Sequence, residues 1–217
     1  MSFQFELRNY SETDIPTNEV VVAASRQLIE EVLTTWPKES VHTKYKVQGY
    51  KKHLDGKQWV ARVSRHPDLS FEFFKKGLLE QHAESDLNYI PMLDNYKEIE
   101  DYQGWHKTIN HYKFPSFFKN REFVVWVLTH QPNPEIEEFY VVSLPTTAPS
   151  ETGIVRGEYC SVERIKRENG VTEWVGVMTS DAKGSLPMWL QNRSILPSFV
   201  TDVPNYIEYA KKKWPDL

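Results

Sequence analysis

The chain has 217 residues, of which 40% are hydrophobic and 13% aromatic, and its formal net charge is -4. This apolar content is enough for a packed core and excludes a disordered chain, while the slight acidity argues against a nucleic-acid-binding protein. A single cysteine, Cys160, excludes an internal disulfide. The segment Met1 to Tyr10 lacks the apolar run of a signal peptide, and no stretch reaches the roughly eighteen apolar residues that span a membrane. We therefore expect a cytoplasmic protein.

No linker interrupts the chain, which predicts one domain over residues 15–217 after an irregular lead-in, residues 1–14. The first helix is predicted to begin at a cap, Asp14 or Thr17, and to end near Thr35, before Trp36-Pro37. Its apolar residues recur at helical spacing, at Val20, Val21, Ala24, Leu28, Ile29 and Val32.

A hairpin and a second helix follow. Two β-rich runs, 44–51 and 58–65, are joined by Asp55-Gly56, which is a hairpin signal. Ser70 caps a predicted helix from Phe71 to about Gln81, and residues 82–92 read as a polar connection.

From residue 96 the apolar period changes from helical to alternating, which indicates an antiparallel meander. Asn169-Gly170 is the strongest turn signal in the chain. With helices before and after the meander, the pattern predicts an α+β architecture with the helices gathered on one face of the sheet. The six predicted strands are 96–102, 105–114, 121–130, 139–144, 153–167 and 171–180.

The chain ends in a long one-sided helix, predicted from Lys183 to Lys213 with Ser185 as its N-cap. Pro197 and Pro204 are expected to kink or split it. Its apolar stripe contains Trp189, Leu190, Leu196, Phe199, Val200, Val203, Ile207 and Ala210.

Small or polar side chains stand among the apolar ones in several predicted strands, including Thr108, Asn110 and Gly157. Apolar cavities with a few polar groups are typical of small-molecule sites. Ordinary alternation with the polar face in water explains the same pattern, so both interpretations stay open.

Three segments resemble the START domain, the lipid-transfer module of the helix-grip superfamily. The loop 115–120 leads into Arg121-Glu122-Phe123-Val124, which is similar to that family's Arg-Asp-Phe-Val strand start, with Glu in place of Asp. Residues 153–159 resemble its Val-Ile-Arg strand, and residues 181–187 with Trp189, Leu190 and Asn192 resemble the start of its C-terminal helix. A fungal START-like family of unassigned role fits better than the sterol carriers.

The resemblance implies a curved antiparallel sheet wrapped round the C-terminal helix, with a tunnel between them that holds one lipid. Sterol carriers have an acid–arginine pair in the tunnel, whereas the aligned positions here are near Thr108 and Val127. The resemblance therefore implies an apolar or weakly polar interior and makes sterol a doubtful ligand. Strand parity, which a slip of one residue would reverse, and the helix stripe give most of the expected ligand-binding set. The set is Thr108, Asn110, Tyr112, Val125, Val127, Arg156, Gly157, Tyr159, Val175, Val177, Leu190, Phe199 and Val203, in which Arg156 requires the opposite parity of its strand.

Two further features have alternative interpretations. Phe114, Phe117 and Phe118 form either a gate loop that touches membranes or a loop that seals the core. Arg156 with Glu158 either orients a polar headgroup or forms a surface pair.

The expected function is therefore non-enzymatic: a lipid carrier whose partners are a hydrophobic small molecule and, transiently, a membrane surface, with no cofactor, metal or nucleic acid. One alternative is a cyclase- or hydrolase-like enzyme using Tyr112, His106, Asn110 or Glu158, although the sequence shows no carboxylate that plainly faces inward. The other is a scaffold with a filled core. The sequence does not specify the oligomeric state.

Overall fold

The computed structural model describes residues 3–42, 44–116, 118–149 and 154–217. The helices are α1 (Asn18–Thr35), α2 (Phe71–Lys75), α3 (His82–Tyr89) and α4 (Met188–Lys213). The strands are β1 (Lys38–His42), β2 (Val47–Leu54), β3 (Lys57–His66), β4 (Leu93–Tyr102), β5 (Trp105–Tyr112), β6 (Arg121–His130), β7 (Glu138–Pro145), β8 (Val155–Glu168) and β9 (Val171–Asp181).

The nine strands form one curved sheet in the order β1-β2-β3-β9-β8-β7-β6-β5-β4. Neighbours in this order are antiparallel, as predicted. One additional pairing is parallel, where β6 meets β8 from Arg121–Val155 to Phe123–Gly157. It arises because β7 ends opposite Val125, which leaves the first residues of β6 without a β7 partner.

The predicted hairpin turns are confirmed at Asp55-Gly56 and Asn169-Gly170. All four residues have positive φ, between 49° and 80°. That geometry suits the two-residue turns that match the twist of paired strands.

The helices pack on both faces of the sheet, which corrects the expectation that they gather on one. The α1-side core lies between the sheet and α1, where Val21 and Ile29 meet strand residues such as Trp126 and Val162. The α4-side core lies between the opposite face and the other helices, and includes Phe74 of α2, Tyr89 of α3 and Val203 of α4. The sheet is therefore buried on both faces over much of its area.

Helix α4 runs without interruption from Met188 to Lys213, with both prolines inside it. Pro187 occupies the N-cap position with extended backbone, so the prediction of Ser185 as the cap was wrong. Trp189, placed in the apolar stripe by its spacing, is 67% exposed. No helix in the described ranges is long and apolar enough to cross a membrane.

The second predicted helix continues beyond α2 as a π-helical turn, Lys76–Glu80. At Gly77 an added Cβ would lie 2.4 Å from the hydroxyl oxygen of Tyr206, so glycine lets the α4 side chain approach. The Tyr206 hydroxyl lies 2.8 Å from the carbonyl oxygen of Phe73, to which it donates a hydrogen bond. This contact fixes α4 against the π-helical turn.

The lead-in residues are integrated into the α1-side core. Tyr10 is buried, its N–H donates to the Pro145 carbonyl at 2.8 Å, and its carbonyl accepts from the Thr146 hydroxyl at 2.7 Å. Phe3 and Phe5 pack against the same core. The only regular structure in the described residues 3–14 is a short 3-10 turn, Glu12–Asp14.

Candidate functional site

A cavity of about 200 Å³ lies between the sheet and the helices on the α4 side. One wall is formed by β4, β5 and β6, and the other by α3 with the π-helical turn before it. Four of the predicted ligand-binding residues line it: Thr108, Asn110, Val127 and Tyr159.

Polar groups are placed on the sheet wall of the cavity by the strand register. Thr108 lies opposite Val125 and Asn110 opposite Phe123, so both residues share the face that points to α4. The Asn110 amide lies 3.4 Å from the Tyr159 hydroxyl, which accepts its hydrogen bond. Burial raises the pKa of Tyr159 far above its usual range, so the phenol stays neutral.

The helical wall contributes Asp86, which sequence reasoning missed. His82 lies next to it, with Nδ1 3.5 Å from Asp86 Oδ1. That oxygen is buried and has no hydrogen bond. Burial raises the pKa of Asp86, and His82 opposes the shift. A carboxylate does therefore face the interior, contrary to the expectation that none does.

A buried ion pair lies deeper in the α4-side core. Arg62 on β3 is 1% exposed, and its Nη2 donates to Glu163 Oε2 on β8 at 3.0 Å. The same carboxylate oxygen accepts from Trp174 Nε1 at 2.5 Å. Arg62 Nε and Nη1 are buried without hydrogen bonds. The expectation of an apolar or weakly polar interior was therefore wrong.

Helix α4 closes over this pair. The guanidinium carbon of Arg62 lies 4.0 Å from the ring centroid of Trp174 and 4.4 Å from that of Phe199 on α4. Gly176 makes the approach possible, because a Cβ there would lie 2.7 Å from the Phe199 ring. Stacking of a guanidinium on aromatic faces is favourable, and here it connects the helix to the sheet.

Two titratable groups near the pair have strongly shifted pKa values. Burial raises the pKa of Asp202 on α4 to about 7, against the opposing effect of Arg62. Burial, followed by Arg62 and Lys211, lowers the pKa of His66 to about 4. The interior thus favours the neutral form of both side chains.

The structure brings further predicted residues to one end of the cavity. Tyr112 packs against Phe123 with ring centroids 5.3 Å apart, and Phe123 packs against Tyr159 at 5.6 Å. Gly157 faces the same cluster, since a Cβ there would lie 2.4 Å from the Phe123 ring. Val125, Phe199 and Val203 lie in the adjoining α4-side core.

Other predicted residues lie elsewhere. Val175 and Val177 belong to the α1-side core, so the parity assigned to β9 was reversed. Arg156 does not pair with Glu158; it forms an ion pair of 2.6 Å with buried Glu122, away from the cavity lining. Leu190 is half-buried in the first turn of α4 and does not line the cavity.

Arg121 links the predicted gate loop to the start of α4. It is buried, donates to the carbonyl oxygens of Lys119 and Lys183, and donates to that of Ala182 at 2.6 Å. Its guanidinium carbon also lies 4.9 Å from the ring centroid of Phe114. Of the other two gate residues, Phe118 is half-buried and Phe117 lies outside the described residues.

One cluster has donor atoms of the type that bind metal ions. Glu98, Asp101 and His106, on the β4–β5 hairpin, have ligand atoms within 4.8 Å of one another, and all three are exposed. Exposed acidic groups often lie this close without an ion, so the cluster does not by itself define a metal centre.

The fold is shared with solved structures. Human STARD10 superposes with a TM-score of 0.76 over 93% of this chain and 82% of that one, at 14% sequence identity. Human StAR-related lipid transfer protein 5 gives a TM-score of 0.69 over 91% of this chain and 99% of that one, at 13% identity. The predicted helix-grip fold of the START type is therefore confirmed.

Sequence relatives define the family. The uncharacterized protein C577.11 of Schizosaccharomyces pombe is 27% identical over 177 residues, which are 74% of this chain and 71% of that protein. Residues 59–210 match the model of a family described as a protein of unknown function, DUF3074. Since this match covers most of the chain, the protein belongs to the DUF3074 family and has the START helix-grip fold.

Proposed function

We propose that this protein carries one lipid or similar hydrophobic molecule between the sheet and α4 and exchanges it at membranes. The observation that supports this most directly is the cavity of about 200 Å³ on the α4 side of the sheet. Small-molecule sites combine apolar walls with polar groups that orient the ligand, and this lining contains both kinds of side chain. Two proteins of the same fold are named for lipid transfer, StAR-related lipid transfer protein 5 of human and a counterpart from Xanthomonas axonopodis.

The driving force would be removal of the ligand's hydrocarbon from water. At about 0.8 kcal/mol per buried CH₂, a chain of about twelve carbons gains about 10 kcal/mol before ordering costs. The cavity is smaller than the roughly 300–1,000 Å³ of most ligand pockets. We therefore propose that α4 moves outward to admit the chain.

For α4 to move outward, the contacts that hold it against the rest of the protein must break. They are the stacking of Phe199 on Arg62 and the hydrogen bond from Tyr206 to Phe73. Pro197 and Pro204 lack the N–H that the helix ladder requires, which lowers the cost of bending. Replacing both prolines by alanine should slow ligand exchange between vesicles, and an unchanged exchange rate would count against the movement.

Membrane contact is proposed at the end of the molecule where Arg121 joins the gate loop to the start of α4. Exposed Lys113 and Lys119 suit anionic headgroups, and exposed Met188 and Trp189 suit the membrane interface. Phe114 and Phe118 of the gate loop lie beside them in the sequence. Their shielding from water in the present state fits a loop that seals the interior until a membrane is met.

The test is native mass spectrometry of the purified protein, followed by extraction and analysis of bound lipids. One lipid per protein is the expected result. Thr129→Phe, which fills the cavity wall, should reduce the bound lipid, whereas His130→Phe on the next residue should not. A bare protein that also fails to take up fluorescent sterol, fatty acid and phospholipid would refute the proposal.

The enzyme alternative has one observation in its favour, which is Asp86 at the cavity wall with a raised pKa. Such a carboxyl group is suited to general acid catalysis. The candidates from the sequence fit less well, because Glu158 pairs with Lys183 and His106 pairs with exposed Asp101. Turnover of a polyketide or thioester that Asp86→Asn abolishes would favour the enzyme.

A further inference from the structure

Two buried oxygens at the cavity wall, Asp86 Oδ1 and Thr108 Oγ1, have no hydrogen-bond partner. Asp86 Oδ1 is buried and makes no hydrogen bond, although the side chain as a whole is 21% exposed. A buried carboxylate oxygen without a donor is costly, and native structures satisfy most such groups with protein, water or ligand. Tyr89 hydrogen-bonds to the Asp86 side chain, which leaves Oδ1 to accept from the cavity side.

A second group without a hydrogen-bond partner lies on the opposite wall, and its hydroxyl can accept or donate. Thr108 is 6% exposed, lines the cavity, and its Oγ1 is buried without a hydrogen-bond partner. The two groups come from different elements, α3 and β5. Both groups line the same cavity, so a ligand bound there can donate hydrogen bonds to either of them.

The charge of the lining selects the kind of donor. The described residues that line the cavity include the carboxylates Asp86, Glu80 and Glu98 but no lysine or arginine. Glu80 is already paired with Lys76, whose Nζ lies 3.0 Å from Glu80 Oε2. The nearest buried cation, Arg62, already has Glu163 as its partner. Histidines accompany two of the acids, with His82 at 3.5 Å from Asp86 and His106 at 3.5 Å from Glu98. A cationic ligand is attracted to this lining, and an anionic one is repelled.

The volume limits how much of a ligand fits. An apolar cavity of about 150 Å³ accepts benzene, so about 200 Å³ suits a group of headgroup size rather than an acyl chain. The polar end of a lipid can therefore occupy the cavity in the present closed state, and its chain must lie in the space that α4 opens.

We propose that the cavity binds the protonated amine of an amine-bearing lipid, with Asp86 as its counter-ion and Thr108 as a second acceptor. The inference rests on the proposed lipid-carrier function and names the headgroup class. Asn110 and Tyr159, already hydrogen-bonded to each other, border the amine without supplying charge. Charge-assisted hydrogen bonds to the carboxylate provide the selectivity.

The test compares three probes of one chain length, decylamine, decanol and decanoic acid, below their micelle concentrations at pH 7.4. Dissociation constants are measured by calorimetry. Because hydrogen bonds to charged groups are the strong ones, decylamine should bind at least about tenfold more tightly than either other probe. Asp86→Asn should remove that advantage, and Thr108→Val should reduce it by about threefold.

Asp68→Asn is the matched control, since Asp68 is an exposed carboxylate in the loop after β3. It should leave all three affinities unchanged. If Asp86→Asn does not fold by circular dichroism, Thr108→Val and the probe comparison on the unaltered protein decide the question.

The outcomes separate this inference from the carrier function. Binding of decanol or decanoic acid as tight as that of decylamine overturns the amine site and leaves the carrier function standing. An amine preference that survives in Asp86→Asn also overturns the assignment. If none of the three probes binds and the protein purifies without lipid, both proposals fail together.

Discussion

The two faces of the sheet are built differently. The α1-side core is mainly apolar, with Trp126, Val162 and Val177 packed against Val21 and Ile29 of α1. Its buried polar groups are uncharged, namely the Ser25 hydroxyl, which donates to the Val21 carbonyl, and the indole N–H groups of Trp105 and Trp126. The α4-side core contains, beside its aromatic cluster, a buried ion pair and buried hydroxyl and carboxyl groups.

Buried polar groups reduce stability unless they are fully paired, and several of these are not. Polar groups retained at such a cost are expected at functional sites. The comparison therefore assigns stability mainly to the α1 side and ligand recognition to the α4 side. Four substitutions test this division, taken from the largest expected effect to the smallest.

The buried ion pair gives the largest expected effect. Arg62→Met leaves Glu163 as an unpaired buried charge and should lower the free energy of unfolding by about 3–5 kcal/mol. Combining it with Glu163→Gln, which keeps an acceptor for Trp174 Nε1, should recover most of the loss. Urea denaturation measures both. Glu163→Gln alone is measured as well. If the loss of stability in the double variant equals the summed losses of the two single variants, the ion pair is not the reason for the loss.

A substitution that creates a cavity in the α1-side core should lower stability without changing the amount of lipid bound. Ile29→Ala removes a fully buried side chain and should lower the free energy of unfolding by about 2–4 kcal/mol. The amount of lipid bound per folded molecule, measured by native mass spectrometry, should stay the same. A changed lipid content would break the proposed division between the faces.

Asp202 should make the α4 side sensitive to pH. Its folded pKa of about 7 lies above the ordinary value of 3.8, so the stability that its proton contributes is complete below about pH 4 and is lost as the pH rises through about 7. Asp202→Asn should therefore raise the free energy of unfolding by roughly 1–3 kcal/mol at pH 8 and by much less at pH 4.

Thermal melts of the protein and the variant at both pH values measure this difference. His66, with its pKa lowered to about 4, destabilises both proteins alike as the pH falls from about 6.5, so the difference between them isolates Asp202. Exposed Asp216→Asn is the control. An equal gain at pH 4 and pH 8 would contradict the assignment.

The smallest effect on stability is expected at the exposed start of α4. Trp189→Ala should change the free energy of unfolding by no more than about 0.5 kcal/mol, because the side chain is exposed. Binding to anionic vesicles, measured by co-sedimentation, should nevertheless fall. Unchanged vesicle binding would remove Trp189 from the proposed membrane surface.

Most of the fold could be predicted because periodicity and turn residues are local signals. The helix ending at Thr35 and the Asn169-Gly170 turn are examples. Helix α3 was missed because its sequence is polar and it buries few side chains, chiefly Ser85 and Tyr89. Its contribution to the cavity, Asp86, was missed with it.

The candidate site was less predictable because it depends on which face each strand turns inward. β9 is apolar on both faces, with Trp174 in one core and Val175 in the other, so alternation could not assign it. Arg62 and Glu163 are far apart in sequence and lie on strands, β3 and β8, that are both neighbours of β9. Only the strand register reveals that they meet.

The π-helical turn after α2 has a consequence for how this family can vary. A π-helical turn bonds each N–H one residue further back than an α-helical turn does, so deletion of a single residue within Lys76–Glu80 would restore regular helix. The hydrogen bond from Tyr206 to the Phe73 carbonyl and the close approach of Tyr206 to Gly77 both depend on the geometry of this segment. The length of the Lys76–Glu80 turn, the glycine at position 77 and the tyrosine at position 206 should therefore change together among relatives. A gap at this turn in an alignment of the family then predicts how firmly α4 is held.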